Sequence, residues 1–291
     1  MTRRLDLFAV LSLTGVVVLA LQLALPVLVS GRQVDDESAL RAAEAAYDLG
    51  VERASRDNDG GGGDGGDADA ARTHFIESAE AFARAGGAEP SAALLYNRAN
   101  ALLRAGRVGE AIADYRAAQS RAPGDARITA NLAEARRKLT RPIAAPAPSA
   151  LDRIAGSWSF LGESTRLTLA MLLLWTTVAC VLLRRANGGA ERTPTSAIAR
   201  RLAWPAGALA ALLSATVAAD LVRRTTLEAA VVREPTMLRK GNGDGFEPVL
   251  GEELPEGTEC IVHESRPGWT EVTLGDGTRG WLRDGDLVRV R

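Results

Sequence analysis

A pair of short amphipathic helices that recurs along the chain constrains the fold more than any other feature. The pair is predicted over Leu94–Asp125, where Gly106 breaks the chain between the helices and Pro123 ends the second. Each helix places small and apolar residues on one face: Leu95, Ala99 and Leu102, then Val108, Ala111, Ile112, Tyr115, Ala118 and Ala122. Asn97 and Asn131 reveal the repeat, since they stand 34 residues apart. A helix pair of this length must stack against a neighbour to bury its apolar face.

This layout is similar to the tetratricopeptide (TPR) repeat, a module that binds proteins and carries no chemistry of its own. The sequence predicts a TPR region over residues 36–140. An earlier, degenerate helix pair, Ser38–Gly50 and Ala70–Ala85, flanks a Gly- and Asp-rich insert at 57–69 that is predicted to be a flexible loop. Ala126–Leu139 forms a last helix that caps the stack. We therefore expect an α-helical TPR solenoid in the first half of the chain.

Three apolar runs indicate a membrane protein: Leu7–Val29, Leu167–Leu183 and Leu202–Leu221. The first follows Arg3 and Arg4, so residues 1–31 are predicted to be a signal peptide or an N-terminal membrane anchor. Its length favours the anchor. The other two runs are predicted to be transmembrane helices within residues 164–224, and buried helices of a soluble core are the alternative.

The charges between the second and third runs set the predicted orientation. This short loop, residues 184–201, contains five arginines and a single acid, Glu191. Excess arginine in a short loop marks the cytoplasmic side, so a multi-pass protein of the bacterial cytoplasmic (inner) membrane is predicted, with this loop inside. The regions before and after the two runs are then extracytoplasmic. Residues 141–163 are predicted to be a proline-containing linker and an interfacial segment with Trp158 and Phe160.

The hydrophobic pattern changes from period 3.6 to period 2 in residues 227–291. Five short strands are predicted there: Ala229–Val232, Glu259–Glu264, Thr270–Leu274, Arg279–Leu282 and Leu287–Val290. The region resembles the bacterial SH3 domain in four segments: Met237-Leu238-Arg239-Lys240-Gly241, Gly257-Thr258, Gly268-Trp269 and Gly280-Trp281-Leu282. The resemblance implies a small all-β SH3-like barrel. Phe246, in a Gly-rich loop, is the candidate for a surface contact of this domain.

Residues that carry chemistry are sparse, and the chain is predicted to be non-enzymatic. His74 and His263 are its two histidines, and neither belongs to a group with metal-ligand spacing, so no metal or other cofactor is expected. Cys180 and Cys260 lie in an apolar run and in a distant strand and are not expected to pair. A net charge of −1 argues against a nucleic-acid partner.

The candidate protein-binding site is the concave face that the first helix of each TPR repeat would line. Five residues are predicted on or beside it: Tyr96, Asn97, Asn100, Arg104 and Asn131. The asparagine side chains can hold a peptide backbone there, because an amide both donates and accepts hydrogen bonds. The alternative is that Asn97 and Asn131 only tie adjacent helices together.

The order of segments resembles the BatE family, the E component of the Bacteroides aerotolerance operon. The resemblance rests on three segments: Tyr96-Asn97-Arg98-Ala99-Asn100-Ala101-Leu102, Ala111-Ile112 with Tyr115, and Asn131-Leu132-Ala133. It implies a membrane-anchored scaffold in an aerotolerance or envelope-stress complex. The implied partners are von Willebrand A-type membrane proteins and a MoxR-type AAA ATPase. A peptidoglycan-binding envelope adaptor acting through the SH3-like domain, or an enzyme subunit, are the alternatives.

Overall fold

The computed structural model of the protein describes residues 37–58, 66–139, 141, 143–147, 163–186, 194–226 and 228–290. The predicted signal peptide or anchor at 1–31 lies outside these residues, as does the predicted interfacial segment with Trp158 and Phe160. The described part of the chain divides into two compact units. One contains Leu161–Ala218, and the other contains Asp35–Phe160 together with Ala219–Arg291.

Five helices form the helical region of the larger unit: α1 (Glu37–Asn58), α2 (Gly66–Gly86), α3 (Ala92–Arg104), α4 (Val108–Arg121) and α5 (Ala126–Arg137). Helices α1 and α2 extend into the predicted insert at 57–69 from both sides, so they are longer than the sequence pattern indicated. Asp67 and Asp69 fall in the first turn of α2, where the helix dipole stabilises negative charge. Asp67 also pairs with Arg53 of α1 at 3.1 Å.

Local signals set the ends of the next helices where the sequence predicts them. The Ser91 hydroxyl accepts a hydrogen bond from the Leu94 amide at 3.2 Å, and Asp125 caps α5 in the same way through the Arg127 amide at 2.9 Å. Gly106 separates α3 from α4 with a φ of 80°, a conformation that only glycine adopts without strain. These caps and this turn determine how α3 and α4 fold back on each other.

Helix α4 is the most deeply buried element of the helical region. Ala111, Ile112, Tyr115 and Ala118 on one face have no exposed surface, and Ala113 and Ala117 on other sides of the helix are also buried. Helices α3 and α5 cover part of α4, through residues such as Leu102 and Leu132. A helix that is apolar around most of its circumference needs cover on more than one side.

Five antiparallel strands form one sheet: β1 (Glu228–Val232), β2 (Glu259–Arg266), β3 (Trp269–Leu274), β4 (Arg279–Arg283) and β5 (Leu287–Val290). Their order across the sheet is β4-β3-β2-β1-β5. The predicted strands lie within two residues of these bounds at every end, because alternation of apolar residues and the Asp276-Gly277 turn are local signals. The buried side of the sheet includes Val232, Leu238, Val272 and Leu282.

The predicted fold class, with a TPR solenoid, transmembrane helices and a closed SH3-like barrel, is wrong. In the described part of the chain the structure has seven helices and one open five-stranded sheet. The sheet is open because β5, which follows β4 after the 3-10 turn Asp284–Asp286, pairs with β1 and not with β4. Strands β4 and β5 are therefore the two edges and do not meet.

The helical region packs against one side of the sheet, and no pattern in the sequence predicts this contact. Val231, Val288 and Val290 from β1 and β5 join the apolar core around Ile112 of α4. Gly109 lies in the first turn of α4 at a very close backbone contact, because a methyl group there would overlap the carbonyl oxygen of Val232. The two regions thus share a core and belong to one compact unit.

Ion pairs accompany this apolar contact. The Glu259 carboxylate of β2 is 8% exposed and accepts from the Arg116 Nε at 3.0 Å and from the Arg136 Nε at 2.8 Å. Glu110 of α4 lies 3.6 Å from the Arg233 guanidinium. Helices α4 and α5 are therefore joined to the sheet by charge as well as by packing.

The smaller unit contains α6 (Glu163–Ala186) and the part of α7 (Pro194–Thr226) that ends at Ala218. Among the described residues, one stretch is long and apolar enough to cross a membrane, Thr165–Leu182 of α6. The prediction of two transmembrane helices is therefore wrong, because the apolar stretch of the second helix is too short. Its apolar stretch, Ala203–Ala219, rises about 25 Å as a helix, short of the roughly 30 Å hydrocarbon core.

The two apolar helices contact each other through small side chains. The position of a methyl group at Gly207 lies 3.5 Å from the Thr177 methyl carbon, and Cys180 packs with Ala203. Part of the arginine-rich loop, residues 187–193, is outside the described residues.

Candidate functional site

Four of the five predicted binding residues lie on one side of α3. We call this surface the α3 outer face and define it by Tyr96, Asn97, Asn100 and Arg104, which are half-buried or exposed. The fifth residue, Asn131, reaches the same surface from α5. The structure therefore brings the predicted set together.

Three of these residues bond to one another and to the core. The Tyr115 hydroxyl donates to Asn100 Oδ1 at 2.6 Å. Asn131 Nδ2 donates to the same oxygen at 2.9 Å and to the Tyr96 hydroxyl at 3.1 Å. Burial raises the pKa of Tyr115, so this phenol stays protonated and can donate. The network ties α3, α4 and α5 together.

Asn97 and Arg104 differ from the other three. Within the described part of the chain, the Asn97 side chain forms no hydrogen bond and the Arg104 guanidinium has no carboxylate partner. They stand seven residues apart, which places them on one line along α3, separated by about 10 Å. Their polar atoms are available to a ligand. The predicted role of linking adjacent helices therefore fits Asn131, which bonds to α3, and does not fit Asn97.

Two aromatic rings support Arg104. Its guanidinium carbon lies 5.7 Å from the ring centre of Tyr47 in α1 and 5.7 Å from that of Phe75 in α2. The two rings meet edge to face with centres 5.4 Å apart. Cation–π attraction thus fixes the guanidinium without using its hydrogen-bond donors. Neither ring was among the predicted site residues, because Tyr47 and Phe75 lie in the earlier helix pair.

Arg127 is a second cation beside this face that the sequence analysis missed. Its guanidinium lies 5.7 Å from the Tyr96 ring centre and pairs with Asp125 at 2.7 Å. The signal was present, since Arg127 stands four residues before Asn131 and shares its side of α5. Because Asp125 already neutralises it, Arg127 offers less to an anion than Arg104 does.

Phe246, the predicted surface residue of the β-sheet region, is exposed over 51% of its surface. The loop that carries it is held by Arg239, whose Nη1 donates to the carbonyls of Asp244 and Phe246 at 3.0 Å each. The two tryptophans nearby are covered by arginines, Trp281 by Arg266 and Trp269 by Arg283.

The described residues contain no cluster of three or more potential metal ligands. His74 bonds to Glu77 at 3.0 Å, and His263 to Thr273 at 2.8 Å. Both cysteines are buried and free, and burial raises the pKa of the Cys260 thiol to about 12.

Substitution of the two asparagines should separate the structural role from the binding role. We expect Asn100→Ala to destabilise the protein by roughly 1–3 kcal/mol, because the Tyr115 hydroxyl loses its acceptor in the core. Asn97→Ala should leave the free energy of unfolding within about 0.5 kcal/mol. Urea unfolding of the full chain in detergent measures both. Equal losses in the two variants would contradict this division.

The arrangement is suited to binding, because the Arg104 guanidinium and the Asn97 amide stand at a fixed spacing beside the hydrogen-bonded network of Tyr96, Asn100 and Asn131. Comparison with protein-family models, with curated proteins and with solved structures gave no match to this chain.

Proposed function

We propose that the protein is a non-enzymatic, membrane-anchored scaffold that binds another protein through the α3 outer face. The observation that carries the proposal is the pair Asn97 and Arg104, whose donors and acceptors face outward without an internal partner. The hydrogen-bonded network beneath them supports binding, because it holds the backbone of α3 in place before a partner arrives.

The proposal locates the helical region and the β-sheet region on the extracytoplasmic side of a bacterial cytoplasmic membrane. Support comes from their shared core, since segments that pack together must lie on the same side of a membrane. In the chain between these two regions, the apolar helix Thr165–Leu182 is the described segment long enough to anchor the protein in the membrane.

The resemblance to BatE supports the choice of partners. On this proposal the scaffold joins von Willebrand A-type membrane proteins and a MoxR-type AAA ATPase in an envelope-stress complex. Large extracytoplasmic surfaces that carry no chemistry are suited to such assembly.

Site-specific photocrosslinking in the native host tests the scaffold. Ala93 is exposed and lies on the same side of α3 as Arg104, and Ala83 is exposed on α2. A photoreactive residue at Ala93 is expected to give a discrete protein adduct that Asn97→Ala with Arg104→Gln reduces severalfold. The same residue at Ala83 is the control and should give none. The absence of any protein adduct at Ala93 would refute the scaffold function.

A further inference from the structure

We propose that the α3 outer face binds an extended, acidic segment of its partner, with a carboxylate of that segment on Arg104. The inference rests on the proposed function and adds the chemistry of the ligand. The segment is part of a protein, because the face also presents the Asn97 amide, which matches a peptide backbone.

Arg104 differs from the neighbouring arginines because it has no carboxylate partner among the described residues. Arg98, six residues earlier on α3, is bound to the buried Asp114, with Nε donating at 2.5 Å. Arg127 is bound to Asp125. Arg104 is exposed and has only the two aromatic rings as described partners. Its charge and its planar set of donors are therefore available to a carboxylate, which matches them in a two-point hydrogen bond.

The aromatic support makes Arg104 a prepared site rather than a mobile surface cation. The contacts with rings of α1 and α2 restrict the Arg104 side chain, so a ligand that binds it loses less conformational entropy. A neutral segment would cover this cation without pairing it, and a basic segment would be repelled. An acidic segment is the one class that complements the face.

The spacing on α3 specifies how the segment runs. About 10 Å separates Asn97 from Arg104 along the helix axis. An extended peptide advances about 3.3 Å per residue, so this distance corresponds to roughly three residues. The structure therefore favours an Asp, a Glu or a terminal carboxylate about three residues away from a backbone amide that Asn97 holds.

A peptide selection against the full chain in lipid nanodiscs tests the inference. The probe is a random dodecapeptide library, selected in parallel on the native protein, on Arg104→Gln and on Arg84→Gln. Arg84 is exposed on α2 and has no carboxylate partner within the described ranges, so it is a matched control. We expect the native protein and Arg84→Gln to enrich acidic peptides, and Arg104→Gln to lose that enrichment.

Affinity measurements on the most enriched peptide complete the test. Its Glu→Gln or Asp→Asn form should bind the native protein at least about tenfold more weakly, and Arg104→Gln should weaken the acidic form equally. The combined change should add little, since one contact is removed from both sides. Additive losses, or peptides without acidic residues, would overturn the carboxylate assignment alone. If no peptide is enriched over empty nanodiscs, the proposed scaffold function itself is wrong.

Discussion

Gly109→Ala is expected to weaken the contact between the helical region and the sheet, although alanine normally stabilises a helix. In an exposed helix the change would add roughly 1 kcal/mol of stability. In this protein the new methyl group would overlap the Val232 carbonyl oxygen and lie 3.0 Å from that of Arg233. Backbone atoms cannot rotate away, so we expect a net loss of about 1–3 kcal/mol.

Hydrogen–deuterium exchange locates this effect. Amides of β1 and of α4 should exchange faster in Gly109→Ala, while those of α1 and α2 should not change. Gly245→Ala is the control, because a methyl group there meets nothing within 4 Å. A stabilised protein with unchanged exchange in β1 would show that α4 and the sheet do not touch as described.

Glu259→Ala is expected to give a large loss of stability, because Glu259 carries the ion pairs that join the sheet to α4 and α5. The substitution leaves the Arg116 and Arg136 guanidinium groups facing each other without their shared carboxylate. Removal of one partner of a buried ion pair costs about 3–5 kcal/mol. We expect about 3 kcal/mol, since the two arginine side chains keep 37% and 38% of their surface exposed.

Glu264→Ala provides the comparison for this charge effect. Glu264 stands on the same strand and pairs with Arg266 at 2.8 Å, but both side chains are about half exposed. Its removal should cost less than about 1 kcal/mol. Thermal unfolding at low and high salt measures both variants. Similar losses for Glu259→Ala and Glu264→Ala would mean that Glu259 does not join the two regions.

The elements could be located from the sequence because their signals are local. The ends of elements are marked by Gly106, Pro123 and the Asp276-Gly277 turn, which act on the residues beside them. The periodicity of apolar residues indicates whether each element is a helix or a strand. The contact between α4 and the sheet has no such signal. In the sequence, Glu259 reads only as the first residue of a strand and Gly109 only as a residue that weakens a helix. Their roles become visible only with their distant partners, the Arg116 guanidinium and the Val232 carbonyl.

The site was predictable for the same reason and within the same limits. Tyr96, Asn97, Asn100 and Arg104 share one side of α3 by spacing alone. Whether a side chain is free for a ligand or forms hydrogen bonds within the protein depends on Tyr115 and Asn131, which come from other helices. The prediction of a closed barrel failed in a similar way, because the four residues of β5 carry no signal for their pairing with β1 or for their packing on α4.

The place of β5 in the sheet has a consequence for how the protein is made. Ile112 and Val108 of α4 are synthesised long before Val288 and Val290, which cover that side of the helical core. On the emerging chain this apolar surface stays open while the intervening residues are synthesised. The helical region thus needs shielding during synthesis, and a premature stop codon before Leu287 would leave a chain with its core uncovered and prone to aggregate.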